Sequence, residues 1–130
     1  MKISRLDHLV LTCRDVTATL RFYVDILGMK KVFFGNGRLA LGFGNQKINI
    51  HEAGSEIEPH AAEPRPGSLD LCFIIDQSLD EVEATLRKNG ISVELGPVSR
   101  TGAVGDLQSI YVRDPDGNLV ELSTYQDEVA

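Results

Sequence analysis

A chain of 130 residues with 42% hydrophobic side chains is long enough to bury a core without disulfide or metal staples, and one domain spanning 1–130 is expected. Its 13 Lys and Arg against 19 Asp and Glu leave a net charge of -6, which repels phosphate backbones and anionic lipids and argues against nucleic acid as a partner. The opening MKISRLDHLVL lacks the apolar run of a signal peptide and no later run approaches a membrane span, so a cytoplasmic protein with no membrane partner is expected.

In chain order, LDHLVLT alternates, with Leu6, His8 and Val10 on one side and Leu9 and Leu11 on the other, which is the signature of a half-buried strand. Cys13 follows it. With Cys72 far away and in no metal or redox spacing, the two cysteines suit a reduced compartment. From Asp15 to Leu27 an apolar stripe of Val16, Leu20, Tyr23, Val24 and Leu27 predicts an amphipathic helix, ended by Gly28. Short strands are predicted at Lys31 to Phe34, Arg38 to Phe43 and Lys47 to Glu52, separated by the turns Gly35-Asn36-Gly37 and Gly44-Asn45-Gln46. Residues 53–67, with Pro59, Pro64, Pro66 and mixed charge, predict an extended connector in which His60 is exposed.

The order then starts again. LDLCFII is a second alternating strand, Ser78 with Glu81 three positions on is a capping box, and Leu79, Val82 and Leu86 form the stripe of a helix ending at Gly90. Strands are predicted at Val93 to Leu95, Ser109 to Arg113 and Leu119 to Thr124, the last after the turn Asp114-Pro115-Asp116-Gly117-Asn118. Val98 to Asp106, rich in small residues and carrying Arg100, reads as a mobile loop. His8 to Asp70 and Gly28 to Gly90 are separated by the same number of residues, so strand and helix end repeat in step. The fold class is therefore α+β, a duplicated βαβββ unit: module 1 about 1–52, connector 53–67, module 2 about 68–126.

Alternation gives each unit one aliphatic face, suited to cover by its helix, and one face bearing polar groups: His8, Asn49 with His51, Asp70, and Glu121. An unpaired polar group in an inward strand position costs roughly 2 to 7 kcal/mol, so four such strands point to a shared polar site. Imidazole with carboxylate fits a divalent ion such as Zn, Ni, Mn or Fe(II). Each residue also has a plainer role open to it. His8 alone suits a satisfied strand histidine, Glu121 a paired surface carboxylate, and Asp70 a partner for Arg100, while Asn49 competes with His51 for the inward place.

His8 in LDHLVL, the helix end FYVDILGM, and above all DPDGNLVEL with Glu121 resemble the vicinal-oxygen-chelate superfamily, which includes glyoxalase I, methylmalonyl-CoA epimerase, fosfomycin-resistance enzymes, extradiol dioxygenases and bleomycin-binding proteins. KINIHEAG, PGSLDLCFI and GPVSRTGAVGDLQSIYVRDPDGNLVELSTY are most similar to the glyoxalase-domain-containing protein 5 type. The resemblance covers essentially the whole chain. It implies two modules forming a curved eight-stranded mixed sheet around a concave cavity with the helices outside, a homodimer, and a divalent metal held by His8, His51, Asp70 and Glu121. It further implies a glyoxalase-like lyase or isomerase acting on a small oxygen-bearing substrate, with Glu121 as the catalytic carboxylate, or alternatively a bleomycin-resistance-like protein that sequesters a ligand without catalysis. Asp70 departs from the pattern, since glyoxalase I and the fosfomycin enzymes resemble one another in carrying His there. An anionic ligand in its place favours harder ions.

Overall fold

The computed structural model of the protein describes residues 1–126, which divide into two compact units, Met1–Leu69 and Asp70 onward. In the first, β1 (His8–Cys13) leads through α1 (Val16–Leu20) and a π-helical turn (Arg21–Ile26) to β2 (Lys30–Phe34), β3 (Arg38–Phe43) and β4 (Gln46–Glu52). The second repeats the sequence: β5 (Asp70–Ile74), α2 (Leu79–Lys88), β6 (Leu95–Thr101), β7 (Asp106–Arg113) and β8 (Leu119–Tyr125). The eight strands form two mixed sheets of four, ordered β1-β4-β3-β2 and β5-β8-β7-β6. In each the first strand lies parallel to the last and the remaining pairs are antiparallel. The connector of residues 53–67 belongs to the first unit.

Alternation decides what each sheet buries. On the apolar face of the first, Leu11, Leu41 and Ile48 are inaccessible to solvent, and the helical segment adds Phe22 and Tyr23, whose rings meet edge to face at 4.9 Å. Ile110, Val112, Val120 and Leu122 play the same part in the second sheet, with Val82 and Leu86 of α2. Each such side chain contributes about 1.5 to 3 kcal/mol when removed from water, so these two layers carry most of the stability.

The predicted helix of 15–27 is present in two conformations. Asp15 caps it by accepting from Ala18 N–H at 3.2 Å, but after Leu20 the chain widens into the π-helical turn, which buries the consecutive Phe22 and Tyr23 together. Ser78 caps α2 as the sequence requires, its hydroxyl accepting from Glu81 N–H at 3.2 Å. Ser78→Ala is expected to cost about 1 kcal/mol in chemical denaturation, and an unchanged midpoint would show that the cap contributes nothing.

One expectation is corrected. Val98 to Asp106 is not a mobile loop: β6 runs from Leu95 through Thr101 and pairs with β7, and only the short turn after it lies outside the strands. The register shifts between Leu95 and Val98, where Gly96 takes a φ of 118° and lies so close to Ser109 that a Cβ would strike its carbonyl oxygen. That irregularity conceals the strand, because it breaks the alternation by which strands are recognised in sequence. Arg100 is anchored there, its Nε donating to Tyr111 Oη at 3.0 Å.

Candidate functional site

The strand registers define the polar face of each unit. In the first sheet His8 lies beside Lys47, Val10 beside Asn49 and Thr12 beside His51. In the second Asp70 lies beside Leu119, Cys72 beside Glu121 and Ile74 beside Ser123. Asn49 is therefore the counterpart of Glu121, and His51 the counterpart of Ser123. Each unit presents the same diagonal, His8 with Asn49 and Asp70 with Glu121, on neighbouring parallel strands roughly 8 Å apart at Cα. His51 lies four residues beyond the lateral partner of His8, roughly 13 Å along the strand.

The members of these pairs are held differently. His8, with 45% of its side chain exposed, has Nδ1 at 2.8 Å from the Asp7 carboxylate. A carboxylate only accepts, so Nδ1 carries the hydrogen, and in the neutral ring Nε2 has the lone pair for another partner. The hydrogen bond from His8 in turn holds the Asp7 carboxyl below its ordinary pKa. Glu121 is half-buried. Its Oε2 accepts from Ser109 Oγ at 2.6 Å and from Ser123 Oγ at 3.3 Å, while the two hydroxyls are 2.7 Å from each other and Cys72 Sγ is 3.3 Å from Ser123 Oγ. Partial burial pushes the Cys72 thiol up, and the charges of Glu121 and Asp70 add to the rise, as expected for carboxylates sharing one face with it. Neither Cys13 nor Cys72 is in a disulfide among the described residues.

The first unit's polar face is also cationic. Lys30, Arg38 and Lys47 point the same way as His8, with no carboxylate among the strand residues of that face, and Phe34 lies 3.4 Å from Lys47 Nζ and 4.8 Å from the Arg38 guanidinium carbon. Asn49 Oδ1 and both ring nitrogens of His51 are buried without a hydrogen-bond partner. Burial, reinforced by the charge of Arg38, lowers the pKa of His51 and keeps the ring neutral. Among the described residues no three His, Cys, Asp or Glu side chains cluster closely enough to hold a metal ion, so the residues expected as ligands appear as separate pairs. Sequence reasoning overlooked Asp7, Ser109 and the Phe34 stack. Ser123 was visible on the Glu121 face by alternation, but Ser109 enters only through the pairing of β7 with β8.

No helix among the described residues is long and apolar enough to cross a membrane. Among known proteins, the chain is 57% identical over 98% of its length to the glyoxalase domain-containing protein RDO1 of Mycosarcoma maydis, covering 72% of that protein. It superimposes with a TM-score of 0.95 on the structure of the virulence protein STM3117 from Salmonella typhimurium, at 52% identity, covering 97% of this chain and 100% of that one. More distant likenesses are the metallothiol transferase FosB of Staphylococcus saprophyticus, 28% identical over 94% of this chain and 78% of that protein, and the lactoylglutathione lyase structure from Agrobacterium tumefaciens, 25% identical with a TM-score of 0.71 and 95% of each chain covered. A sequence model of one family matches residues 5–122, nearly all of both βαβββ units. With the duplicated unit, the parallel pairing of first and last strands and this match in hand, the chain belongs to the Glyoxalase/Bleomycin resistance protein/Dioxygenase superfamily.

Proposed function

We propose that the protein is a homodimeric, cytoplasmic, divalent-metal-dependent enzyme, a glyoxalase-like lyase or isomerase acting on a small oxygen-bearing substrate. The observation that carries this reading is the repeated diagonal, in which each pair has a member already fixed by a supporting group: Asp7 behind His8, and Ser109 with Ser123 behind Glu121. Histidines that bind metals typically donate their other N–H to a carboxylate, and ligating carboxylates are themselves hydrogen-bonded, so this support suits ligand residues. With a second copy bringing the two diagonals together, His8, Asp70 and Glu121 would hold the ion, with Asn49 offering a neutral oxygen. His51, which sequence reasoning placed in the ligand set, lies four residues along β4 from the lateral partner of His8, which makes Asn49 the nearer candidate on that strand. One imidazole and two carboxylates favour a borderline to hard cation such as Zn, Mn or Fe(II). Relatives named as a metallothiol transferase and a lyase support the same class of chemistry.

A bound ion would polarise neighbouring substrate oxygens and stabilise negative charge on them. The chain's own contribution is positional. Fixing Glu121 Oε2 leaves Oε1 with a defined direction, from which it would take a proton beside a carbonyl and return it to the neighbouring carbon. Lys47 and Arg38 supply a cationic surround for an anionic substrate. The exposed apolar Val10 and Ile74 suit cover by a second copy, and two cysteines outside any disulfide suit a reducing compartment.

Metal content per chain, measured on purified protein reconstituted with Zn or Mn, is expected near one in the parent and strongly reduced in His8→Ala and Glu121→Ala. Equal content in all three would sink the ligand assignment. Those exposed apolar residues also suit a protein that sequesters an apolar ligand. Ligand retention without turnover in metal-loaded protein would favour that reading.

A further inference from the structure

The metal reading leaves one built feature of the first unit unused. His51 is only 4% exposed and has no hydrogen-bond partner at either nitrogen. Leaving a buried polar group unsatisfied costs roughly 1 to 3 kcal/mol, which a ligand would recover on binding. The ring lines a cavity of about 120 Å³, roughly the volume of four water molecules. Thr12, His60, Glu63, Arg65 and Ser68 share the wall.

Three observations narrow what fits. Glu63 is matched by Arg65 at 3.0 Å, and Ser68 Oγ already donates to the Arg65 carbonyl at 2.7 Å, so neither Glu63 nor Ser68 sets the cavity's character. The adjoining strand face carries Lys30, Arg38 and Lys47 with no strand carboxylate, which makes the local field positive in a chain of net charge -6. On that cationic face a cation is a poor occupant and an anion a good one. A phosphate, with four oxygens to satisfy, asks for more donors than Thr12 and His51 supply, whereas a carboxylate has two oxygens and a single charge.

We propose that this cavity binds a small monocarboxylate, one oxygen accepting from a ring N–H of His51 and the other from the Thr12 hydroxyl. The site needs neither His8 nor Glu121, so it stands or falls independently of the metal assignment.

The test uses the full chain labelled with ¹⁵N-histidine, its imidazole signals assigned with His51→Gln and His60→Gln, and titrated with sodium lactate, the neutral lactamide, inorganic phosphate and Zn alone. Lactate is expected to shift the His51 signals saturably and at least about tenfold more tightly than lactamide. Thr12→Val, close in shape but without the donor, is expected to weaken lactate about tenfold, while His8→Ala leaves it unchanged. The proposal is overturned by the absence of a saturable His51 shift, by equal binding of lactamide, by tighter binding of phosphate, by Zn taking His51 as a ligand, by an unaltered Thr12→Val, or by loss of lactate binding in His8→Ala.

Discussion

Asp114→Ala is expected to lower stability by about 3 kcal/mol and to disturb Glu121 although it touches neither metal nor substrate. Asp114 is 5% exposed and organises the turn between β7 and β8. Its Oδ1 accepts from the backbone N–H groups of Asp116 and Asn118, each at 2.9 Å, and its Oδ2 accepts from Asn118 Nδ2 at 2.7 Å. Asn118 is itself buried, so truncating the carboxylate removes two hydrogen bonds made away from water, each such loss costing roughly 1 to 3 kcal/mol. Asp116 is better placed to recover water, which keeps the total near the middle of that range. The turn also fixes Tyr111 opposite Glu121 and Ser109 opposite Ser123. Urea denaturation followed by circular dichroism measures the loss, with Asp114→Asn as the control that keeps an acceptor and recovers part of it. A loss under about 1 kcal/mol in the alanine variant would mean that the turn is held by something other than this carboxylate.

That turn shows why so much of the fold was legible in the sequence. Asp-Pro-Asp-Gly-Asn announces a tight turn through residues that accept from their own backbone, and alternation on either side announces strands. The two capped helices, the glycine helix ends and the duplicated order are likewise local patterns, and local patterns are what a sequence displays. β6 escaped because its irregularity at Gly96 breaks the alternation while its pairing with β7 is made elsewhere in the chain. The π-helical turn escaped for a related reason, since an apolar stripe looks much the same whether the backbone closes on four residues or five.

The candidate site was legible to a lesser degree. Alternation placed His8, Asp70 and Glu121 on polar faces, where the strands carry them. Choosing between Asn49 and His51 required knowing which residue of β4 lies beside which residue of β1, and a shift of two preserves the face, so no pattern within β4 could decide it. Ligand chemistry favoured the imidazole, whereas the register makes Asn49 the match for Glu121. The supporting groups were beyond reach for the same reason: Ser109 meets Glu121 across a strand pair, twelve positions away in sequence.

Ser109→Ala carries the second large effect, a predicted loss of roughly 10-fold to 100-fold in metal affinity, the usual consequence of removing a group that holds a ligand in place. Ser109 is wholly buried, and its 2.6 Å hydrogen bond to Glu121 is the shorter of the two that this carboxylate receives. With Ser109 donating to Glu121, its oxygen is free to accept, so the single Ser123 hydrogen is shared between Ser109 at 2.7 Å and the more distant Glu121 Oε2 at 3.3 Å, while Ser123 accepts from Cys72 at 3.3 Å and each link polarises the next toward the carboxylate. Alanine breaks this chain at its last member and leaves Glu121 with only the 3.3 Å contact from Ser123. Stability is expected to fall by no more than about 1 to 2 kcal/mol, because the deleted hydroxyl leaves behind Ser123, which has a second partner in Cys72. Competition against a chromogenic chelator gives the affinity for Zn and Mn, with the surface variant Ser99→Ala as the control that leaves it unchanged. Should Ser109→Ala fold poorly, Ser123→Ala interrupts the same chain one step earlier and is expected to give a smaller loss in the same direction. If folded Ser109→Ala binds both metals as tightly as the parent, Glu121 is not a ligand that depends on this support, and the chain of hydroxyls serves the β7–β8 packing alone.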